Sequence, residues 1–162
     1  MEQLRVLVAG AAGALLGATT VDAPPLATGI LALLSADAAG GLVALLNDSG
    51  KAWWHRPGRG PLAHGLFVAA HAVPITLFVT LFRAGDPREL GLSLLLLAAG
   101  AATILAASPR RQRAVALAVL FVVLIVLQQA FGTVREAAWF MPLLYAKLFV
   151  AYLPAPRPAE TA

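Results

Sequence analysis

Eighteen consecutive residues, Ala114 to Phe131 (AVALAVLFVVLIVLQQAF), carry no charge and are dominated by bulky aliphatic side chains. A helix of that length rises roughly 27 Å, close to the thickness of a bilayer's hydrocarbon core. Such a run has no good place in a small soluble domain, and the rest of the chain repeats the pattern. Charged residues make up 12% of the sequence, about half the share that a soluble chain uses to cover its surface. They fall between the apolar runs, and the mean hydropathy is +0.81. The fold class this predicts is an all-α integral membrane protein, a bundle of five to six transmembrane helices.

The segments are read at residues 4–20, 24–47, 61–82, 90–107, 114–131 and 138–153, with a polar, proline-rich tail over 154–162 expected to be disordered. The first is rich in small residues. Gly13 and Gly17 form a GxxxG spacing that lets another helix approach closely, within this chain or in a second copy. A cleavable signal peptide competes for this segment, but Glu2 balances Arg5 in its leading region, so a retained helix is preferred. The second segment starts at Pro24-Pro25, with Asp22 available as a cap, and stops at Asn47-Asp48-Ser49-Gly50. The run over 114–131, the most uniformly bulky, is expected to face lipid. The last segment is short, and either spans a thin region or lies in the interface.

Charge then orients the bundle. With six spans and the N-terminus cytoplasmic, inner segments hold Arg5, Lys51, Arg56, Arg59, Arg110, Arg111, Arg113 and Arg157. Outer loops hold Arg83, Arg88 and Arg135, so the bias is eight to three in the positive-inside sense. The abundance of Ala, Gly and Leu resembles the product of a GC-rich bacterial genome, which predicts a location in the inner (cytoplasmic) membrane.

Polar residues inside the apolar runs are expensive and therefore informative. Asp37 lies ten residues before Asn47, and His71 ten residues after Pro61. Both fall roughly 15 Å from the inner ends of consecutive antiparallel helices. An Asp37–His71 contact at mid-depth is thus expected, either as a structural clasp or as a site for acid–base chemistry. Lys147 in the last segment is expected either to snorkel to the interface or to turn inward as a counter-ion for Asp37. Gly40 and Gly41 remove side-chain bulk beside the carboxylate, and Pro74 frees a backbone carbonyl near His71.

The loop DSGKAWWHRPGRGP collects Lys51, Trp53, Trp54, His55, Arg56 and Arg59 at the expected inner headgroup level. With His64 just beyond it, this set is read as binding lipid headgroups or an anionic substrate head. His64 and His71 are seven residues apart on one helix face, too far to share a metal ion, and no metal or cofactor is expected. Gly50-Lys51 lacks the earlier glycine and the following hydroxyl of a P-loop. The chain has no cysteine, which excludes disulfides and thiolate chemistry. Whether it is an enzyme stays open at this stage. The leading expectation is acid–base chemistry on a lipid or isoprenoid-type substrate. The alternatives are a proton-coupled transporter or channel subunit, and a non-catalytic subunit of a larger membrane complex. The partners expected are membrane lipids, a second copy or other membrane subunits, and not nucleic acid.

Overall fold

The computed structural model describes residues 1–132 and 137–156, and all regular structure among them is helical. The elements are α1 (Glu2–Thr19), α2 (Pro25–Leu46), α3 (Asp48–Trp54), α4 (Pro61–Ala70), α5 (Ala72–Phe82), α6 (Pro87–Ala106), α7 (Gln112–Phe131) and α8 (Phe140–Tyr145). Helix α8 widens without interruption into a π-helical turn over Ala146–Tyr152.

Four helical stretches are long and apolar enough to cross a membrane: α2, the α4–α5 pair taken together, α6 and α7. Helix α7 is the least buried of them, and Phe121, Val122 and Ile125 project outward from it. Two of the six expected spans fall short among the described residues. Helix α1 carries Glu2 and Arg5 in its first two turns, and the last segment, Phe140–Tyr152, is too short.

Helix α1 is held against α2 by its glycines. A Cβ at Gly13 would lie 2.8 Å from the Ala39 side chain, and one at Gly17 would lie 2.6 Å from Ala32 Cα. The GxxxG face is therefore spent inside the chain, and the suggestion that it offers a surface for a second copy has to be withdrawn. Packing backbone on backbone maximises dispersion where lipid removes any hydrophobic drive for association. Gly40 completes the same seam from the α2 side, facing the backbone of Gly10.

The short last segment is the centre of the bundle. Phe140, Leu144, Tyr145, Leu148, Phe149 and Tyr152 are essentially without exposure. A Cβ at Gly100 would lie 2.6 Å from the Phe149 ring, so α6 closes directly over it. Its thirteen residues rise only about 20 Å. That is insufficient for a lipid-facing span, but a helix wrapped in protein need not match the bilayer, provided its terminal backbone groups find partners. They do. Lys51 Nζ donates to the Ala151 carbonyl, and His55 Nε2 lies 2.9 Å from the Tyr152 carbonyl oxygen. Ala155 N–H donates to Gln112 Oε1 at 2.9 Å. Pro154 is buried, so the ordered chain runs past the expected start of the polar tail; residues 157–162 of that tail, with Arg157, lie outside the described residues, as does Arg135.

Local boundaries follow turn chemistry. Asp86 caps α6 by accepting from Arg88 N–H at 2.8 Å, with Pro87 in the first helical position. That signal starts α6 three residues before the expected Leu90. Asp22 does not cap α2: Pro24 holds the N-cap position, and no side-chain cap bond forms.

Candidate functional site

Asp37 sits midway along α2 and its partner is Lys147, whose Nζ lies 2.6 Å from Oδ2. The lysine side chain is 4% exposed and the aspartate 62%. Lys147 thus reaches Asp37 from inside the bundle, and the carboxylate faces outward. Gly41, one turn below Asp37, makes this approach feasible, since a Cβ there would fall 3.0 Å from Lys147 Nζ. The two glycines beside Asp37 therefore serve different neighbours, Gly40 for α1 and Gly41 for the lysine stem. Of the two expectations for Lys147, the inward one describes the molecule. Snorkelling is excluded by geometry, because the stem is enclosed by the bundle.

His71 marks the junction of α4 and α5. Pro74 has no N–H to give to the helix, and the backbone tightens one turn earlier, where His71 N–H donates to the Val68 carbonyl at 3.0 Å. The Phe67 carbonyl, its normal helical acceptor, is left to the His71 side chain, and Nδ1 lies 2.8 Å from it. A carbonyl only accepts, so Nδ1 carries the proton, and in the neutral form of the ring the lone pair is at Nε2. Among the described residues no hydrogen bond joins Asp37 to His71, between which a contact was expected. Lys147 occupies one carboxylate oxygen, and the helix break engages the imidazole through Nδ1.

The groups nevertheless share one site. An open cleft of about 350 Å³ is lined by Asp37, Gly41, Lys147, His71, Phe67 and Trp54, among others. Depth matching in the sequence found the two polar ends. Phe67 was missed, although its position four residues before His71 puts both on one helical face. The π-helical turn that carries Lys147 was also missed, and no local sequence signal announces it.

The basic loop divides into two groups. Lys51 and His55 are used inside, on the carbonyls of the central helix. His64 Nδ1 lies 2.9 Å from the Tyr152 hydroxyl, and its ring stacks on His55 with centroids 4.8 Å apart. Burial, reinforced by the positive charge of Arg113, lowers the Lys51 pKa to about 8. Burial also lowers that of His55, against the raising effect of its bond to the Tyr152 carbonyl. Arg56 lies 4.2 Å over the Trp53 ring, and Arg59 lies 4.4 Å over Trp53 and 4.5 Å over Trp54. These arginine–tryptophan stacks form the outward-facing part of the loop.

At the opposite end, Arg83 Nε and Glu89 Oε2 are 2.6 Å apart, and Arg83 Nη2 donates to the Phe131 carbonyl at 2.6 Å. This ties the ends of α5, α6 and α7 beside a smaller cavity of about 170 Å³. Among the described residues no group of three His, Asp or Glu side chains is positioned to hold a metal ion. In comparisons with known proteins, no family model, no curated protein and no solved structure matches this chain.

Proposed function

We propose that this chain is a multi-pass protein of the cytoplasmic membrane, N-terminus inside, that performs acid–base chemistry on a lipid or isoprenoid-type substrate. The substrate would enter the Asp37/His71/Lys147 cleft from the bilayer. The observation that carries this reading is that a half-exposed carboxylate, a buried ammonium and a histidine with a free nitrogen line one open cleft. Intramembrane ionisable groups are costly enough to insert that their convergence is best accounted for by use. His71 Nε2 is the atom able to take a proton from a bound substrate. Asp37 would orient the reacting group, and Lys147 balances the carboxylate's charge. The eight-to-three distribution of basic residues supports the orientation, and the Arg56/Arg59–Trp53/Trp54 stacks suit the inner headgroup level.

The test is comparative lipid mass spectrometry. Protein in nanodiscs is incubated with a total lipid extract, alongside Asp37→Asn and His71→Phe variants that enter nanodiscs normally. A lipid consumed or formed only by the native protein supports the reading. Identical profiles for all three proteins would reduce the cluster to a structural clasp.

A further inference from the structure

The cleft also has a hydrogen-bonding polarity. Asp37 Oδ2 is taken by Lys147, which leaves Oδ1 as an acceptor on an exposed side chain. His71 Nδ1 is committed to the Phe67 carbonyl, which leaves Nε2 as a second acceptor on a ring that lines the cleft. The neighbouring donor, the Lys147 ammonium, is 4% exposed and already donates to Asp37. What Asp37 and His71 offer an incoming molecule is therefore acceptors, and a molecule held by either has to donate.

Charge narrows the choice further. A phosphate or carboxylate head would be set against the Asp37 carboxylate. An ammonium head would meet a carboxylate whose charge is already balanced, with Lys147 directly behind it. A neutral hydroxyl meets neither obstacle. The remaining walls, among them Trp54, Phe67 and Leu34, are apolar, and about 350 Å³ is near the lower end for ligand sites. That volume holds a head and the start of a chain, and the remainder would lie in the bilayer.

We infer that the cleft binds a long-chain or isoprenoid alcohol, its hydroxyl donating to His71 Nε2 or Asp37 Oδ1. The inference rests on the proposed function for the location of the site, and it goes further by naming the substrate class. It also assigns any anionic head to a different place from the cleft.

The experiment uses the full chain in phosphatidylcholine nanodiscs, since that lipid has no hydrogen-bond donor to compete. A diazirine-bearing hexadecanol is photo-crosslinked, and its labelling is competed with hexadecanol, farnesol, hexadecyl methyl ether, hexadecyl phosphate and hexadecylamine. The expected result is labelling at Trp54 or Phe67 that the alcohols displace about tenfold better than the ether, the value of one hydrogen bond. Phosphate and amine should do no better than the ether. In His71→Phe or in Asp37→Leu, according to which acceptor the hydroxyl uses, the preference for alcohol over ether should shrink to within about twofold while apolar binding persists. Whichever alcohol is stronger, hexadecanol or farnesol, identifies the chain type, and either order supports the inference.

An ether that competes as well as the alcohol, a phosphate or amine that competes better, or no label in the cleft would overturn it. The competitor ratio on the native protein decides the matter even where His71→Phe does not fold. Failure of the proposed function has a different signature: alcohol preference without any lipid conversion leaves the ligand class standing and removes the chemistry.

Discussion

Among the described residues two ion pairs join helices of this bundle, and they are built to opposite designs. Arg83 and Glu89 are both largely enclosed, at 16% and 10% exposure. A second donor of the arginine, on Nη2, is turned to the Phe131 carbonyl. In the Asp37–Lys147 pair, by contrast, the cation is buried and the anion is 62% exposed beside an open cleft. The first pair ties the ends of three helices together. The second keeps a carboxylate oxygen and a histidine nitrogen free. An enclosed pair that ties helix ends acts as a fastening, whereas a pair open on one side has capacity for a third group.

The contrast is tested most severely at Asp37. Asp37→Asn is expected to lower lipid conversion by about a hundredfold, the scale for misplacing a reacting group that the carboxylate orients. Glu89→Gln should leave conversion within about twofold, as measured by the same mass spectrometry. A comparable loss in both variants would erase the distinction. Stability gives a second axis. Asp37→Asn strands the buried Lys147 charge and should cost about 2 kcal/mol in thermal unfolding from nanodiscs. The double variant Asp37→Leu/Lys147→Met removes both charges and should recover most of that stability without recovering conversion. Recovery of both would mean that the pair is only a clasp.

The Arg83–Glu89 fastening should show its weight in stability alone. Glu89→Gln is expected to cost about 1–3 kcal/mol, since the guanidinium loses its charged acceptor and keeps only the Phe131 carbonyl. The α1–α2 seam is expected to respond on a similar scale. A side chain at Gly17 has no room against Ala32, so Gly17→Leu should cost about 1–3 kcal/mol or separate α1 from α2. Disulfide trapping between cysteines introduced at Gln3 and Ser49, near the Glu2–Ser49 contact, reads that separation directly. Trapping as efficient in Gly17→Leu as in the native sequence would show that the seam does not depend on the glycine.

The smallest effect concerns pH. Lys51 has a folded pKa of about 8 against the ordinary lysine value of 10.5, so between those values the unfolded chain holds more protons than the folded one. Its destabilising contribution is complete below about pH 8 and is relieved as pH rises toward 10.5. Thermal stability should therefore rise through that window, and Lys51→Met should flatten the rise. An unchanged slope in that variant would assign the pH dependence elsewhere.

How far the site was legible depended on what each residue answers to. Asp37 and His71 stood out because the bilayer penalises any ionisable group at mid-depth, and counting from helix ends placed them level. A hydrogen bond between them did not follow, because hydrogen-bond partners are chosen by side-chain direction as well as depth. The break at Pro74 turned His71 to its own helix, and Gly41 admitted Lys147 to the carboxylate. Lys51 and His55 were read as headgroup ligands from charge and position, and charge cannot reveal that a carbonyl from the central helix lies within reach.

By itself the sequence determined an all-helical chain with helices long and apolar enough to cross a membrane, because lipid demands long uncharged runs and backbone bonds satisfied within each helix. It also marked Asp37, His71 and Lys147 as ionisable residues that are costly to place within apolar runs. Only the tertiary structure decided that the shortest segment is the core, that the GxxxG face is consumed by α2, and that Lys147 is the partner of Asp37. Each of those depends on which faces meet once the helices pack, and a hydropathy pattern records the solvent around a helix without recording its neighbour.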